Sequence, residues 1–447
     1  MFTARNSTPR PSKKTVKPVY FRLGRSYTRR PIKRLFPMIF AGDPMDAATV
    51  DYLKAGMKAE SERTAPPPGF PQLPLIPGAR YTDPAFLELE QRYLWQRSWL
   101  FACHADEIPE PGSFYLFKRT GSPIIVVRDK NGEVRAFYNS CRHRGAPLVR
   151  ECKGKVDGLV CGYHGWTYGL DGRLMNLRDK RDFVDLDLSQ YPLHSVRCES
   201  LGNWIFVNED PQAEPLLKHL GPIPQQLEEI QPGQVRFVHR KSYPVKCNVK
   251  VLLDAFLEVY HLKSIHQNTV DRFLDHRGTF ITLWKNGHSL MCTPNRRPDW
   301  QDPGTRGMRR IETASEITSK NNPSFNLYPN LVTPVDATGK PFILFWPTGP
   351  RSMEIEIVWF APDWGSGEID PLWQTRLSNF ERILEEDTQF AEQIQESVES
   401  GAFKGITLNY QERRIYHWHE ELDRRIGAER VPEALRVRPV LKDWVAG

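Results

Sequence analysis

The chain has 447 residues, of which 40% are hydrophobic, enough for two or three domains with buried cores. It has no run of eighteen apolar residues, which argues against a membrane-spanning helix. The formal net charge is +7, but residues 1–42 alone carry eleven Lys or Arg and no Asp or Glu. The rest of the chain is therefore slightly acidic, which argues against a basic nucleic-acid-binding fold.

The N-terminal segment divides into a basic tail and a stiff linker. Residues 1–63 have many like charges and few apolar residues, which predicts a disordered tail with a short helix at Ala47–Glu62. Its composition is compatible with a solvated leader, a transit peptide or a surface for nucleic acid or membrane. Residues 64–79 are rich in proline and predict an extended linker. Pro84–Ser98 has apolar residues at helical spacing and predicts one helix.

The pattern after this helix predicts a small all-β domain followed by a larger mixed domain. The domains are expected at 97–211 and 212–447. The first is expected to contain strands Ser113–Arg119, Pro123–Arg128, Glu133–Tyr138 and Gly202–Asn208, with a tight hairpin at Asn131-Gly132. The second is expected to contain strands Phe342–Trp346 and Met353–Trp359, the latter with one solvated face, and helices at 248–262, 371–400 and 411–426.

Two short loops carry the clearest chemistry, Cys141-Arg-His143 and Cys161-Gly-Tyr-His164. A structural zinc site accepts two Cys and two His, but these pairs are usually segregated along the chain. In a Rieske [2Fe–2S] centre one iron takes both Cys and the other takes both His, so each loop supplies one of each. The mixed pairing therefore favours an iron–sulfur cluster over zinc.

The remaining cysteines predict the redox compartment. They are five in number and scattered, so they are expected to be free thiols rather than a disulfide framework. A reducing, cytoplasmic environment is therefore expected. The five residues are Cys103, Cys152, Cys198, Cys247 and Cys292.

The stretch from Cys247 to His266 predicts an apolar helix with polar residues along one face. Asp254, Glu258 and His261 are four and three residues apart, hence on the same side. A buried helix does not tolerate two carboxylates without a partner. His261 and His266 are five apart, so they reach one metal only if the helix ends or bulges between them. Two unrelated histidines near a helix end are the alternative.

Two His and one carboxylate would complete the facial triad of a non-haem Fe(II) site. The candidates for the carboxylate are Glu385, Glu386 and Asp387. Asp387 is the charged residue on an apolar seam of the predicted helix, whereas both glutamates are predicted to point away from that seam. A lone acid on a buried stripe needs a cation, which favours Asp387 as a ligand over an acid with a structural partner. The seam consists of Trp373, Leu377, Phe380, Leu384, Asp387, Ala391, Ile394 and Val398.

Both constellations resemble the motifs of the Rieske non-haem iron oxygenases, in the α (oxygenase) subunits of the aromatic-ring-hydroxylating dioxygenase family. The loop sequences 141–148 and 161–168 resemble its Rieske domain almost letter for letter. The later segment resembles its mononuclear-iron motif, and the similarity covers about residues 81–427. The residues that match this motif are Asn248, Lys250, Asp254, Glu258, Tyr260, His261 and His266, followed by Asp387, Glu392 and Gln395.

The resemblance implies an α+β fold. An antiparallel β Rieske domain is expected at 97–211, and a helix-grip catalytic domain, with an antiparallel sheet around long helices, at 212–447. The helix within 80–96 is expected to pack on the catalytic domain. The implied cofactors are a [2Fe–2S] cluster on Cys141, His143, Cys161 and His164, and a mononuclear Fe(II) on His261, His266 and Asp387, with O2 as cosubstrate.

The resemblance also implies catalytic roles for Glu258, Asp254 and Asn248. Glu258 is expected to bridge His261 to a cluster histidine of a neighbouring chain and to carry electrons between subunits of a homotrimer, with a β subunit also compatible. The chain has no dinucleotide fingerprint, so an NAD(P)H-dependent flavin or iron–sulfur reductase, with or without a ferredoxin, is the expected electron donor. Neither nucleic acid nor a membrane span is expected.

Three functions compete at this point. Hydroxylation of an aromatic or other apolar ring is the first interpretation. The second is a monooxygenase that removes N- or O-methyl groups from betaine-like or methoxyaromatic substrates. The third, a non-catalytic electron carrier or a zinc-stabilised interaction protein, does not explain the second metal motif. The aromatic residues between 274 and 345 suit an apolar substrate or a core equally well, so they do not choose between the first two.

Overall fold

The structure is a computed structural model that describes residues 45–297, 300 and 303–446. The predicted tail up to residue 44 lies outside these residues. The helices are α1 Ala47–Glu62, α2 Pro84–Tyr93, α3 Leu216–His219, α4 Ile223–Leu227, α5 Val249–Phe256, α6 Leu262–Ile265, α7 Glu316–Lys320, α8 Leu372–Thr388, α9 Ala391–Val398 and α10 Arg413–Ile426. The strands are β1 Ile76–Pro77, β2 Leu100–His104, β3 Ser113–Phe117, β4 Ile124–Arg128, β5 Val134–Tyr138, β6 Lys153–Lys155, β7 Leu159–Val160, β8 Thr167–Tyr168, β9 Leu174–Asn176, β10 Ser195–Leu201, β11 Trp204–Asn208, β12 Arg236–Val245, β13 Phe280–Trp284, β14 Ser289–Pro294, β15 Asn321–Leu327, β16 Leu331–Pro334, β17 Lys340–Gly349, β18 Ser352–Ala361, β19 Gly405–Ile406 and β20 Val445–Ala446.

Strands β2 to β11 form the first domain. Seven of them make an antiparallel sheet in the order β2-β11-β10-β5-β4-β3-β6, and β7, β8 and β9 make a small separate sheet. Successive residues of a strand face opposite sides. In β4, Ile124 and Val126 join the large core shared with the second domain. Ile125 and Val127 join a smaller core around the two Cys/His loops. The sheet is therefore buried on both faces, and one face supports those loops.

The predicted strands of this domain are confirmed, each within two residues of its predicted limits. The turn between β4 and β5 contains Asn131 and Gly132, as predicted, and Gly132 has a φ of +88°, which favours glycine. Asp129 Oδ1 accepts hydrogen bonds from the backbone N–H groups of Asn131 at 2.8 Å and Glu133 at 3.0 Å. This turn fixes the register of β4 against β5, the strand that leads into the first Cys/His loop.

The second domain is built on a sheet in the order β12-β18-β17-β16-β15-β14-β13-β20. The sheet is antiparallel, as predicted, except for the short parallel pair of β13 with β20. Its two faces are both covered. On one face Phe345 of β17 contacts Phe256 of α5, with ring centroids 5.1 Å apart. On the other face Phe342 contacts Phe101 and Trp204 of the first domain, at 5.1 Å and 4.7 Å.

The prediction of a solvated face on β18 is wrong for Glu356, which is 3% exposed. The face that carries Glu356 packs against the first domain. Its carboxylate accepts hydrogen bonds from Arg240 at 2.9 Å and from Trp346 Nε1 at 2.9 Å. Arg240 also donates to Glu107 of the first domain at 2.8 Å. Alternating Glu residues in β18 therefore mark an interface between domains that is held by ion pairs.

The segment before the first domain packs on the second. The linker is partly a strand, since β1 pairs with β19, and Leu73 and Ile76 are buried. The helix predicted at Pro84–Ser98 ends at Tyr93 and is followed by a 3-10 turn, Trp95–Arg97. Trp95 is fully buried, and the change of backbone direction after Tyr93 places it in the core. Helix α2 contacts α10, as expected for a helix that packs on the catalytic domain.

Helix α1 has the bounds predicted for it. Its N-cap Asp46 accepts a hydrogen bond from Thr49 N at 2.6 Å. Leu53 and Met57 are buried against the second domain, and Tyr52 contacts Phe280 with ring centroids 5.3 Å apart. This part of the predicted tail therefore covers strands β13 and β14.

Among the described helices, none is long and apolar enough to cross a membrane. All seven cysteines lie in the described part of the chain and are unpaired.

Candidate metal centres

The two Cys/His loops share one backbone design. In the first, Cys141 N donates to Ala146 O at 2.9 Å and Gly145 N donates to Cys141 O at 2.8 Å. In the second, Cys161 N bonds to Trp166 O at 2.8 Å and Gly165 N to Cys161 O at 2.9 Å. Gly145 and Gly165 have φ values of +75° and +74°, a conformation that side chains disfavour. The repeated turn presents each Cys and His pair in the same way.

The predicted cluster residues meet between these loops. Cys141 and Cys161 are each 2% exposed, and the rings of His143 and His164 lie 4.7 Å apart. The Nδ1 atoms of both histidines are buried and have no hydrogen-bond partner among the described residues. Within the described chain, no three of these four residues bring ligand atoms within 4.8 Å of one another. A tetrahedral zinc would require closer ligands, so the donor set fits a two-iron cluster better than zinc.

Three aromatic residues surround the cluster ligands. Tyr168 accepts a hydrogen bond from Arg142 N at 3.0 Å, and its hydroxyl lies 3.3 Å from Cys141 Sγ, to which it donates. Trp166 stacks on His143 at a 5° interplanar angle and is 3% exposed, which shields that ligand from water. Tyr163 contacts His164, with ring centroids 3.8 Å apart, and is itself 58% exposed. The sequence analysis did not predict the contact between Tyr168 and the Cys141 sulfur. The only signal for it in the sequence is the position of Tyr168 in the second loop motif.

The second predicted ligand set also comes together. The candidate ligand atoms of His261, His266 and Asp387 all lie within 4.8 Å of one another. Asp387 Oδ1 is 3.0 Å from His266 Nε2 and 3.7 Å from His261 Nε2. Two imidazoles and one carboxylate in this arrangement fit a facial triad that leaves other coordination positions open.

The backbone achieves this by a break that the sequence located only in part. The helix predicted at 248–262 ends at Phe256 and is followed by the one-turn helix α6. His261 and His266 occupy the two ends of α6. The prediction of one continuous face through Asp254, Glu258 and His261 is therefore wrong. Leu257 leaves the helical conformation, because its N–H bonds to Asp254 O in a tighter turn.

Each histidine of the triad has a carboxylate on its Nδ1 atom. Glu258 Oε1 bonds to His261 Nδ1, as predicted. Glu386 Oε2 lies 2.7 Å from His266 Nδ1 and accepts a hydrogen bond from Thr269 Oγ1 at 2.6 Å. With both Nδ1 atoms bonded, both Nε2 lone pairs are directed to the side of Asp387.

The prediction that Glu386 points away from the site is thus wrong. It neighbours Asp387 on α8, and its longer side chain reaches the far nitrogen of the same imidazole that Asp387 faces. Glu385 is exposed, as predicted.

The residues of the predicted apolar seam lie on the inner side of α8, but in α9 the buried side of the helix is a different one. A break at residues 389–390 separates α8 from α9 and rotates the buried side. Ala391, Gln395 and Val398 are buried, whereas Ile394 is 45% exposed.

Asn248 caps α5 rather than contacting the triad. Its side-chain oxygen accepts a hydrogen bond from Lys250 N at 3.1 Å. Its backbone N–H donates to Gln395 Oε1 at 2.7 Å, which ties the start of α5 to α9. A catalytic role for Asn248 stays a prediction.

Asp254 lies at the end of a directional chain of hydrogen bonds. Arg80 Nε donates to His419 Nδ1 at 3.1 Å, so the His419 proton is on Nε2. His419 Nε2 lies 3.0 Å from the Tyr81 hydroxyl, which in turn donates to Asp254 Oδ2 at 2.5 Å. One turn earlier on α5, Lys250 forms an ion pair with Glu90 at 2.7 Å. Asp254 is thus held by groups from both ends of the chain, and a catalytic role for it stays a prediction.

His417, His419, Phe325 and Tyr328 are core residues. His417 and His419 diverge, as predicted, since His417 Nε2 donates to Trp284 O at 2.9 Å. Phe325 and Tyr328 are buried, with Tyr328 packed on Trp418 at 5.4 Å. These aromatics therefore carry no evidence for a substrate.

Two family models match the chain. One is described as the Rieske [2Fe-2S] domain and matches residues 98–192. The other is described as the ring hydroxylating alpha subunit (catalytic domain) and matches residues 232–428. These ranges contain all ten predicted site residues.

Curated relatives include oxygenase subunits of two kinds. The glycine betaine monooxygenase oxygenase subunit of Chromohalobacter salexigens is 33% identical over 204 residues, 46% of each chain. The chain thus spans about half the length of that relative. The 2-halobenzoate 1,2-dioxygenase large subunit of Burkholderia cepacia is 27% identical over 65% of this chain and 69% of its own. Among solved structures, naphthalene 1,2-dioxygenase from Rhodococcus sp. bound to indole has a TM-score of 0.69 at 21% identity, covering 87% of this chain and 100% of that one. At this level of identity, the similarity to naphthalene 1,2-dioxygenase shows a shared fold.

The triad and the cluster are expected to be separable by mutation. Asp387→Ala should lose the mononuclear metal and retain the visible absorption of the cluster, whereas Cys141→Ser should lose that absorption.

Glu386→Gln should weaken metal binding about 10–100-fold, because the neutral amide orients and polarises His266 less. Competition with a chelator for a redox-inert divalent metal measures the affinity. Glu385→Gln, on the adjacent exposed residue, is the matched control and should change nothing. Equal losses in the two Gln variants would contradict the role of Glu386.

Asp254 is expected to make stability depend on pH. Burial raises the pKa of Asp254 from 3.8 to about 7. The hydrogen bond from Tyr81 and the positive charges of Lys250 and Arg80 lower this pKa, but their effect is smaller than that of burial. A raised folded-state pKa contributes stability that is present below about pH 4 and lost as pH rises towards 7. Relative to Asp254→Asn, the wild type should therefore lose a few kcal/mol of unfolding free energy, roughly 1.4 for each pKa unit, between pH 4.5 and 7.5. Urea titrations at both pH values test this, and a constant difference would contradict it. The charged or titratable groups that face Asp254 are Arg80, Tyr81, Lys250, Glu412 and His419.

Proposed function

Because the chain belongs to the α subunits of the Rieske oxygenases, we propose that it is the terminal oxygenase component of a multicomponent system. It takes electrons from a partner protein and uses O2 to hydroxylate a small organic substrate. The observation that carries this proposal is the pairing, in one chain, of a two-Cys, two-His cluster site with a separate two-His, one-carboxylate site.

Once bound, the cluster supplies one-electron transfer and Fe(II) supplies O2 activation. The protein's part is to hold the ligands and control their charge. Glu258 and Glu386 keep each imidazole in the tautomer whose Nε2 lone pair faces Asp387. Tyr168 donates to Cys141 Sγ, a contact that stabilises negative charge on sulfur and so favours the reduced cluster.

The electrons must come from outside the chain. The sequence has no dinucleotide-binding fingerprint. The proposed donor is an NAD(P)H-dependent flavin or iron–sulfur reductase, acting directly or through a ferredoxin. The unpaired cysteines support a reducing, cytoplasmic location for this system.

Two substrate classes are proposed in order. Hydroxylation of an aromatic or other apolar ring is the first, and the relative that acts on 2-halobenzoate supports it. Oxidative removal of N- or O-methyl groups is the alternative, and the glycine betaine monooxygenase subunit supports that one. An electron carrier without catalysis has no use for a second metal triad.

Product analysis separates the two classes. With a reconstituted reductase, NADH and O2, ring hydroxylation yields a phenol or a diol, whereas demethylation yields formaldehyde in proportion to the NADH consumed. We expect a hydroxylated ring product from a panel of aromatic acids and no formaldehyde. Stoichiometric formaldehyde from a betaine would establish the alternative. Asp387→Ala is the control that should stop either product, and NADH oxidation without any product would contradict both.

Glu258 is proposed to bridge two subunits of a homotrimer, with a β subunit also compatible. In the single chain its Oε1 holds His261 Nδ1, and its Oε2 accepts from the N–H groups of Tyr260 and His261. The two backbone N–H groups use both lone pairs of Oε2, whereas Oε1 has one donor in the single chain, so Oε1 can also accept a hydrogen bond from His143 or His164 of a neighbouring chain. Tyr260, beside it, is 59% exposed and lies on the surface that such a neighbour would cover.

The bridge predicts a specific kinetic defect. Glu258→Gln should assemble as a trimer and bind both metals, and its cluster should accept electrons at the normal rate. Oxidation of the reduced cluster in a single turnover with substrate and O2 should be at least about ten-fold slower, equivalent to about 1.4 kcal/mol in the barrier.

Glu386→Gln, compared at equal iron content, is the matched control, because it alters a ligand partner that is not on the proposed route. An equal slowing in both variants would mean that Glu258 only orients His261. An active monomer would also contradict the bridge.

A further inference from the structure

Arg414, in the first turn of α10, is a fully buried cation that has no carboxylate partner in the described part of the chain. It is 1% exposed. Its Nε donates to Ser289 Oγ at 2.9 Å, and its Nη2 has a long contact of 3.5 Å with Ser324 O. Its Nη1 has no hydrogen-bond partner among the described residues. A guanidinium stays charged in proteins, and a buried charge normally requires an opposite charge.

The other buried arginines of the described chain are all satisfied. Three of them face a carboxylate, and one has two short bonds to backbone carbonyls. Arg414 is the exception in this group. The partners are Asp423 for Arg80 at 2.7 Å, Asp336 for Arg376, Glu60 for Arg413 at 3.6 Å, and the carbonyls of Ile108 and Gly132 for Arg128, each at 2.7 Å.

The local field favours an anion at this position. Arg413 and Arg414 are consecutive in the first turn of a 14-residue helix, where the helix dipole is positive. Burial, and then the charge of Arg413, lowers the pKa of Arg414 to about 9. An anion next to Arg414 would offset both the desolvation and the repulsion.

The sheet side of this position is also polar. Ser289 pairs with Asn326 across β14 and β15, and Asn326 Oδ1 is buried without a partner. Across the next strands Asn326 pairs with Val332, and Val332 pairs with Ile343 of β17. Directly paired residues lie on the same face of a sheet, and Phe345, two residues after Ile343, shares that face and contacts α5. Arg414 therefore lies on the side of the sheet that α5 covers, about three strand spacings from α5, roughly 14 Å.

We propose that Arg414, together with Ser289, forms a buried anion site. The anion is either the carboxylate group of the organic substrate or a small free anion. The substrate assignment rests on the proposed oxygenase function, whereas the anion site itself does not.

Thermal unfolding of the metal-loaded protein in chloride-free buffer tests the site without turnover. Sodium benzoate should raise Tm saturably by about 2–4 °C, as expected for a ligand that binds only the folded state. Benzamide, its neutral analogue, should not. Arg414→Met should abolish this response and, without the anion, be at least as stable as the wild type, because it removes an unpaired buried charge.

Arg376→Met is the matched control. It leaves Asp336 unpaired, so it should lower Tm, yet it should keep the full response to benzoate. If Arg414→Met fails to fold, Arg414→Lys, which keeps the charge, should retain a weakened response, and Ser289→Ala should weaken it as well.

The two sources of the anion give different results. Saturable stabilisation by benzoate alone identifies an organic carboxylate, and equal stabilisation by chloride identifies a small free anion. A response to benzoate that survives in Arg414→Met, or no arginine-dependent response to any anion, would overturn the site. Benzoate binding without any hydroxylated product would leave the site intact and count against the oxygenase proposal instead.

Discussion

The pairing of a carboxylate with each histidine of the triad is the interaction on which the second domain depends. Glu258 and Glu386 bind the outer nitrogens of His261 and His266, and Asp387 faces the inner ones. Three acidic groups thus surround two imidazoles in a site that is largely shielded from water. Such a concentration of negative charge is unfavourable unless a cation neutralises it. The fold therefore presents a site whose negative charge a divalent metal would balance.

The position of the triad depends in turn on how α5 is held. Asn248 caps its start and is tied to α9 through Gln395. Farther along, Asp254 is bound by Tyr81 from the N-terminal segment, and Tyr81 is bound by His419 of α10. Segments from both ends of the chain are therefore packed on α5. The first domain is inserted between segments that belong to the core of the second.

The contact between the domains combines apolar packing with buried ion pairs. Phe101 and Trp204 pack on Phe342, while Arg240 joins Glu107 of the first domain to Glu356 of the second sheet. Ion pairs of this kind add little net stability but strongly disfavour other relative positions of the domains. The orientation of the cluster loops relative to the rest of the chain is fixed by this contact.

The sequence alone predicted the candidate ligands and the order of the domains. The ligand spacing, one Cys and one His in each loop and one acid on an apolar helical seam, reflects local chemistry that tertiary structure does not change. The tertiary structure decided which carboxylates support those ligands, because Glu386 reaches His266 across 120 residues of chain. It also decided where α5 ends and which face of β18 is buried, since burial of Glu356 depends on a partner domain that periodicity cannot reveal. Arg414 shows the same limit. Its lack of a carboxylate partner among the described residues is a property of the packed core, and a sequence cannot show which charges remain unpaired after folding.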